Sequence, residues 1–281
     1  FGTSAGNVYY AAKAFICTDV ARWIKEEGIG IDVCTGGELA VALAGGIDPK
    51  KIEVHGNNKS VAEIDRAVAV GVKTIVMDSL FEIERVAAAA TAHGVRQAVM
   101  LRLTPGVEAH THESISTAHE DVKFGFSIAS GAAAAAVAQV LSHTSLELRG
   151  FHCHVGSQIF GTESFELAAT RIIALMKQVK EEHGIELPEL DLGGGYAIAY
   201  LPGEVTVEPE DVLPSLSDVV KRECAAAGLA LPIISIEPGR NIVGPTTFTL
   251  YEVGTVKEVV LEDGGTRRYL SVRSEERRVG K

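Results

Sequence analysis

Residues 51–78 read KIEVHGNNKSVAEIDRAVAVGVKTIVMD, and this stretch decides the fold because it contains one complete β-α-β unit. The segments 51–55 and 74–78 are short, apolar and rich in Val and Ile, which is typical of strands buried on both faces of a parallel sheet. The segment between them has the apolar spacing of a helix, and Ser60 followed by Glu63 predicts a capping box at its start.

The same unit recurs along the chain. We predict eight strands, at 7–12, 30–34, 51–55, 74–78, 97–103, 147–154, 189–192 and 233–237. We predict helices between them, at 19–27, 37–44, 60–70, 80–93, 129–142, 164–182 and 209–227. Eight β/α units in roughly 240 residues favour an α/β fold of the TIM-like (β/α)₈ barrel type, and an open doubly wound sheet is the alternative.

The pattern changes after Gly244. Residues 247–262 alternate between apolar and polar, Gly264 and Gly265 form a turn signal, and residues 268–272 start another strand. This predicts an antiparallel hairpin. We therefore predict a barrel domain over 1–244 and the incomplete beginning of a C-terminal β domain over 245–272. The charged stretch 273–281 has no such pattern, and we interpret it as a non-native tail, with an ordinary charged tail as the alternative.

Composition excludes several classes of partner. The 281 residues include 26 Lys and Arg against 37 Asp and Glu, which gives a net charge of −11. An acidic protein is a poor ligand for nucleic acid or for an anionic membrane surface. No apolar run reaches the ~18 residues that a membrane span needs, and no leader pattern is present, so we expect a cytoplasmic protein. The four cysteines form no CxxC pair, and we expect free thiols.

Active sites of barrels lie at the C-terminal ends of the strands. Lys13 follows the first predicted strand, where an amine could bond covalently to a carbonyl group. We expect burial to lower its pKa and so to free the amine. Lysines often end strands, so Lys13 alone decides little.

The last two predicted strands end in phosphate-binding chemistry. Three glycines, Gly193–Gly195, follow the seventh strand, and their backbone N–H groups could surround a phosphate, although a tight turn is the alternative. The eighth strand ends in Glu237-Pro238-Gly239-Arg240. Arg240 could pair with phosphate or carboxylate, and Glu237 could keep a ring nitrogen protonated.

The sixth predicted strand carries His152, His154 and Ser157. We interpret His152 as a core histidine, His154 as a residue that could stack on a flat ring, and Ser157 as a possible phosphate ligand. A His-x-His pair on a barrel strand is also typical of zinc hydrolases, so a metal site is the alternative. The alternative gains slight support from three residues of the predicted loop 105–123: His110, His112 and Glu113.

Four motifs together resemble one family. VYYAAKAF at 8–15, HCHVGSQ at 152–158, LDLGGGY at 190–196 and EPGR at 237–240 are similar to the fold-type III pyridoxal-phosphate decarboxylases. HGNNKS at 55–60, PGVEAHTHE at 105–113 and KFGF at 123–126 resemble the diaminopimelate decarboxylases within that family. The resemblance extends from about Asn7 to Val272.

The resemblance implies a role for each candidate residue. Lys13 would bond covalently to pyridoxal 5'-phosphate, and His154 would stack on its ring as the second catalytic residue. Arg240 would serve the phosphate, the substrate or both. The implied cofactor-binding residues are Lys13, His154, Ser157, Gly193, Gly194, Gly195, Glu237, Pro238, Gly239 and Arg240. Three further residues are implied to contact the cofactor-binding residues without touching the cofactor: Asp32, Glu38 and Arg102.

The implied reaction is the decarboxylation of meso-2,6-diaminopimelate to L-lysine, the last step of lysine biosynthesis, in a homodimer with shared sites. The family has an N-terminal β segment and a C-terminal β domain whose cysteine motif completes the partner's site. Neither is complete here, so we expect a chain truncated at both ends that decarboxylates poorly alone. The alternatives are an ornithine- or arginine-type decarboxylase, a non-catalytic pyridoxal-phosphate-binding barrel, and a zinc hydrolase using His152 and His154.

Overall fold

The computed structural model describes residues 6–107, 123–201, 203–204, 206–207, 209–248 and 250–273. The chain divides into two compact units, Phe1–Pro245 and Thr246–Lys281. No helix in the described part of the chain is both long enough and apolar enough to cross a membrane.

The first unit is built on a closed ring of parallel strands. Its strands are β1 (Gly6–Ala11), β2 (Gly30–Val33), β3 (Ile52–Val54), β4 (Thr74–Met77), β5 (Gln97–Thr104), β6 (Phe126–Ser127), β7 (Leu146–Cys153), β8 (Glu189–Asp191) and β9 (Ile233–Ile236). Each strand of the ring pairs with its neighbours, from β1 through β5 to β7, β8 and β9. The ring closes because β9 pairs with β1, and β6 adds only a short pairing to β5. The predicted (β/α)₈ barrel is therefore confirmed.

Helices connect the strands. They are α1 (Thr18–Glu26), α2 (Gly36–Ala44), α3 (Val61–Val70), α4 (Leu80–Ala92), α5 (Ala132–Ser142), α6 (Glu163–His183), α7 (Pro209–Ala227) and α8 (Arg240–Val243). The predicted capping box of Ser60 and Glu63 is present at the start of α3. Helix α5 begins three residues later than predicted, because Gly131 in front of it has a φ of +80°, a conformation outside the helical region.

The strand ring has an apolar outer face, which packs against the helices, and a polar inner face, which lines the barrel axis. Buried Val, Ile, Leu and Ala side chains of the strands pack against the helices as one continuous core. Several acidic and histidine side chains inside the ring are at most 3% exposed: Asp32, Glu53, His55, His152, Glu189, Asp191 and Glu237. Buried groups of this kind need polar partners, so the interior of this barrel is a candidate functional site.

One lysine supplies positive charge to the N-terminal side of that interior. Lys73, which precedes β4, lies 2.9 Å from Glu53 and 2.8 Å from Glu189 through Nζ. The same Nζ lies 2.5 Å from the Tyr9 hydroxyl, and Arg149 also contacts Glu189. This cluster neutralises the carboxylates at the end of the barrel away from the C-terminal strand ends.

The second unit is a two-stranded antiparallel hairpin of β10 (Glu252–Val260) and β11 (Thr266–Arg273). Its register pairs Val253 with Val272 and Lys257 with Tyr269, with an irregularity between Val253 and Val256. Gly264, at a φ of +79°, makes the turn. The antiparallel hairpin predicted from the alternating pattern is therefore confirmed.

Candidate cofactor site

The C-terminal strand ends bring the predicted Lys13 next to an acidic residue. Lys13 lies in a short 3-10 turn, Ala12–Ala14, directly after β1. Its Nζ is 3.3 Å from Oδ2 of Asp32 on β2, and its side chain is half exposed whereas that of Asp32 is fully buried. Burial lowers the pKa of the Lys13 ammonium, but the carboxylates of Asp32 and Glu237 outweigh burial and raise it. The expectation that burial alone would lower this pKa is therefore wrong, because the ion pair with Asp32 forms.

Glu237, the residue that follows β9, is held between two histidines. Nε2 of His152 is 3.3 Å from Oε2 of Glu237, in a hydrogen bond. Nε2 of His55 is 2.9 Å from Oε1 of Glu237, close enough for an ion pair although the ring N–H does not point along the line to the oxygen. Burial acts to raise the pKa of Glu237, but the two histidines outweigh it and hold this pKa well below its usual range.

The two histidines titrate in opposite directions. Burial lowers the pKa of His152 to about 3. Burial also acts to lower the pKa of His55, but the carboxylates of Asp32 and Glu237 reverse the effect and raise it. The sequence predicted His152 as a core residue, and its burial agrees with this. No role was predicted for His55, although a histidine at the C-terminal end of a buried strand was a usable signal.

The triple glycine after β8 fits closely against its neighbours. Gly193 and Gly195 have φ values of +70° and +109°, which side chains rarely adopt. A Cβ on Gly194 would overlap the carbonyl oxygen of Glu237, and one on Gly195 would overlap that of Gly156. The N–H of Gly193 donates to Asp191 at 2.7 Å, whereas the N–H groups of Gly194 and Gly195 have no acceptor among the described residues. Two adjacent unpaired N–H groups at a strand end suit an anion.

His154 lies at the mouth, two residues beyond His152. It is partly buried, and its Nδ1 is buried without a hydrogen-bond partner in the described structure. Burial lowers its pKa to about 4, and the Lys13 ammonium acts in the same direction. The part of this neutral imidazole that is exposed at the mouth can contact a ligand.

The other predicted residues lie around this cluster. Ser157 follows β7 and Arg240 begins α8, and both are exposed rather than part of the buried cluster. Pro238 accepts the backbone N–H of Ala11 through its carbonyl, at 3.0 Å. A Cβ on Gly239 would lie 2.9 Å from that of Ala11, so Gly239 allows close packing of this loop on β1.

The predicted supporting residues act differently from one another. Asp32 contacts Lys13 directly, as described above. Glu38 accepts the backbone N–H of Cys34 at 2.6 Å, which fixes the end of β2 in addition to any effect on the helix dipole. The guanidinium of Arg102 stacks 4.5 Å above the ring of Phe124.

The metal alternative relied on His152 and His154. The groups whose ligand atoms come close together within the described residues are His55 with His152 and Glu237, and Glu53 with Asp191 and Glu237, and neither contains His154. His110, His112 and Glu113 lie outside the described residues. Nε2 of His152 is instead hydrogen-bonded to Glu237.

The chain matches a known family over most of its length. The model of the pyridoxal-dependent decarboxylases, pyridoxal binding domain, matches residues 2–244. A diaminopimelate decarboxylase of Mycobacterium tuberculosis is 55% identical over 97% of this chain, and one of Corynebacterium efficiens is 46% identical over 95%. The chain spans 62% and 58% of the length of these two curated relatives.

Solved structures share the fold. Diaminopimelate decarboxylase from M. jannaschii, in co-complex with L-lysine, has a TM-score of 0.85 and 28% identity, covering 96% of this chain and 61% of that one. The Helicobacter pylori enzyme, complexed with L-lysine, has a TM-score of 0.83 and 25% identity, covering 98% and 65%. With the barrel, the strand-end lysine and the glycine loop in place, this chain belongs to the pyridoxal-dependent decarboxylase family.

Proposed function

We propose that this chain forms the cofactor-binding part of a pyridoxal-phosphate-dependent decarboxylase that converts meso-2,6-diaminopimelate to L-lysine and CO₂. The observation that carries the proposal is that Lys13 and Glu237 follow the adjacent strands β1 and β9 at the same end of the barrel, where the Glu237 carboxylate acts to raise the pKa of Lys13. The substrate is inferred from the relatives, since the mycobacterial and corynebacterial sequences and both solved structures described above are diaminopimelate decarboxylases.

The residues present fit pyridoxal 5'-phosphate. The free N–H groups of Gly194 and Gly195 would bind its phosphate, with Ser157 and Arg240 at the rim. Lys13 would hold its aldehyde carbon covalently. Glu237 is kept ionised by its histidine partners, as a partner for a protonated ring nitrogen must be.

When bound, the cofactor supplies an electron sink for the electron pair that is left when CO₂ departs. The residues of the chain would hold the cofactor in position and transfer protons. The Lys13 ammonium must lose a proton before its amine can react, and Oδ2 of Asp32, 3.3 Å away, is an acceptor within reach. His154, neutral because burial lowers its pKa, would cover one face of the ring without adding positive charge there. The burial of Asp32 and Glu237 lowers the local dielectric constant and so strengthens their interactions with charged groups.

We also propose the wider setting. Residues 1–244 would be the cofactor-binding barrel and residues 245–272 the beginning of a C-terminal β domain. The whole protein would act in the cytoplasm as a homodimer on an amino-acid substrate, without nucleic-acid or membrane partners. Arg273 ends β11 and pairs with Glu252, so the non-native tail would begin at residue 274 and not at residue 273.

The covalent attachment of pyridoxal phosphate to Lys13 is tested by chemical trapping. The chain is mixed with pyridoxal phosphate, reduced with borohydride and digested, and the modified peptide is identified by mass. We expect the label on Lys13 and its loss in Lys13→Ala, while Lys177→Ala, an exposed lysine on α6, keeps it. Zinc in the purified protein together with no labelling at Lys13 would instead support the hydrolase alternative.

The substrate is tested separately in the full-length protein that contains this chain. CO₂ release is measured from diaminopimelate, ornithine, arginine and lysine. We expect turnover of diaminopimelate alone. Preference for ornithine or arginine would reassign the substrate without changing the cofactor, and capture of cofactor with no turnover of any of the four would indicate a non-catalytic carrier.

A further inference from the structure

His55 is a buried titratable residue to which the proposed function assigns no part. It follows β3 and is 3% exposed. Its Nε2 is 2.9 Å from Oε1 of Glu237 and 3.8 Å from Oδ1 of Asp32. The ring thus lies between two carboxylates, one expected at the cofactor's ring nitrogen and one paired with the lysine expected to hold the cofactor.

We propose that His55 is a positioning residue: as an imidazolium cation it keeps Glu237 ionised and aimed at the ring nitrogen of the cofactor. The inference rests on the proposed function, because it needs pyridoxal phosphate bound with its ring nitrogen at Glu237. It adds a residue that does not itself touch the cofactor or the substrate and that acts through Glu237.

The charges around His55 favour the cation. Three carboxylates face it: Asp32 from β2, Glu53 on its own strand and Glu237 after β9. A neutral ring there would leave buried carboxylates short of positive charge, which is costly because burial removes their hydration. Lys13, the nearby cation at the mouth, pairs with Asp32, and Lys73 pairs with Glu53 on the opposite side.

His152 has the opposite character, although it touches the same carboxylate. Its ring stands edge-on to that of His55, with centroids 4.9 Å apart and an interplanar angle of 72°. Burial, His55 and Arg102 all lower its pKa, and only Glu237 opposes them. Glu237 is therefore bound by one charged histidine through Oε1 and one neutral histidine through Oε2.

The two histidines therefore act on Glu237 in different ways. A neutral His152 donates a hydrogen bond that helps to lower the pKa of Glu237, but it supplies no positive charge. The positive charge that keeps Glu237 ionised therefore comes from His55, and the raised pKa of His55 agrees with this. Without His55, the pKa of Glu237 would rise, and a protonated Glu237 would no longer hold a proton on the ring nitrogen opposite it.

The charge on His55 can be measured without any cofactor. Histidine ring nitrogens are labelled with ¹⁵N in the 281-residue chain, and the resonances of His55 are assigned by their loss in His55→Gln. We expect two equivalent imidazolium nitrogens that persist at about pH 8, more than one unit above the ordinary histidine pKa of about 6.5. A His55 ring that is neutral at about pH 7 would overturn the proposal.

A second variant covers the case in which His55→Gln does not fold. Asp32→Asn keeps the ring but removes one of its carboxylates. The His55 resonances should be those that lose their proton at a lower pH in this variant. A titration of every histidine unchanged by Asp32→Asn would contradict the electrostatic coupling on which the proposal depends.

The effect on the cofactor is read from pyridoxal phosphate labelled with ¹⁵N in its ring. We expect a protonated ring nitrogen in the unaltered chain and at least about tenfold weaker proton affinity in His55→Gln. His143→Gln, on the outside of the barrel next to Glu84, is the matched control and should behave as the unaltered chain. A proton affinity of the ring nitrogen that is the same in His55→Gln as in the unaltered chain, with folding unchanged, would overturn the inference and leave the proposed function standing. If the unaltered chain binds no pyridoxal phosphate, the proposed function fails instead, and the cofactor-free measurement still gives the charge of His55.

Discussion

His152 donates a 3.3 Å hydrogen bond from Nε2 to Oε2 of Glu237 while both side chains are almost completely excluded from solvent. Its Nδ1 is also buried and has no partner among the described residues. A second proton on this ring would therefore enter without an acceptor, which agrees with the lowering of its pKa to about 3 by burial. The neutral ring links the stability of the barrel to pH.

The first prediction is that the barrel loses stability in mild acid because of His152. The pKa of His152 is depressed in the folded state, so between about pH 6.5 and the folded value the unfolded chain binds a proton that the folded chain does not. The free energy of unfolding should then decrease by up to about 1.4 kcal/mol for each unit by which the pH is lowered, as the contribution of this group. His55 contributes little slope below about pH 6, since it is then protonated in the unfolded chain and its raised pKa keeps it protonated in the folded chain.

Urea unfolding at several pH values between about 6.5 and 4.5 measures the slope. His152→Gln should reduce it, and it should not abolish it because His154 contributes in the same direction. His143→Gln serves as the control for a surface histidine. An equal slope in His152→Gln and in the unaltered chain would show that the ring is protonated in the folded state.

Much of the barrel could be predicted from the sequence because its signals are local. The apolar strand segments, the Ser60–Glu63 cap and the glycine loop each depend on residues close together in the chain, and all three are in the structure. The start predicted for α5 is three residues too early. The run of alanines predicts a helix but does not show that Gly131, in front of it, takes a non-helical conformation.

The charge network could not be predicted in the same way. Lys13 was expected to have a lowered pKa, but Asp32, 19 positions away in the chain, reverses the effect. His55 and His152 belong to different β/α units and meet only when the ring of strands closes. Single-sequence patterns give the face on which a residue lies, whereas a pKa depends on which charged groups share the barrel interior.

The second prediction concerns Lys73, the cation between Glu53 and Glu189. In Lys73→Met both carboxylates lose that partner in the barrel interior, although Arg149 still contacts Glu189. Breaking such a buried pair typically costs about 3–5 kcal/mol, and the partial exposure of Lys73 places the expected loss near the lower end. Adding Glu53→Gln to Lys73→Met should recover part of this loss in urea unfolding. If the double variant is less stable than Lys73→Met, Glu53 is not charged in the folded barrel.

The third prediction concerns Gly194. A methyl group there would overlap the carbonyl oxygen of Glu237, which is backbone and cannot move aside cheaply. Gly194→Ala should therefore displace Glu237 and weaken pyridoxal-phosphate binding by at least about tenfold, equivalent to about 1.4 kcal/mol. Gly37→Ala is the matched control, because its nearest neighbour would be 3.7 Å away and it lies in the first turn of α2. Equal affinity in the two variants, measured by cofactor fluorescence, would contradict a close-packed loop.

The fourth prediction concerns Lys59, which ties the loop after His55 to the neighbouring β/α unit. Its Nζ donates at 2.6 Å to the carbonyl oxygens of Gly56 and Val76 and to Oε1 of Glu82, and the side chain is 2% exposed. Lys59→Met leaves Glu82 without its cation and frees the turn at Gly56, so we expect a loss of about 3–5 kcal/mol in the free energy of unfolding.

The local part of that effect separates Lys59 from an ordinary core residue. Amide hydrogen exchange along residues 55–60 should accelerate in Lys59→Met more than exchange in α6, to which none of these three hydrogen bonds runs. Lys59→Met combined with Glu82→Gln removes the unpaired charge and should restore much of the global stability. The fast exchange at Gly56 should persist in the double variant, because the hydrogen bond to its carbonyl is still missing. Uniform acceleration throughout the barrel in both variants would mean that Lys59 contributes only to overall stability and does not hold this loop.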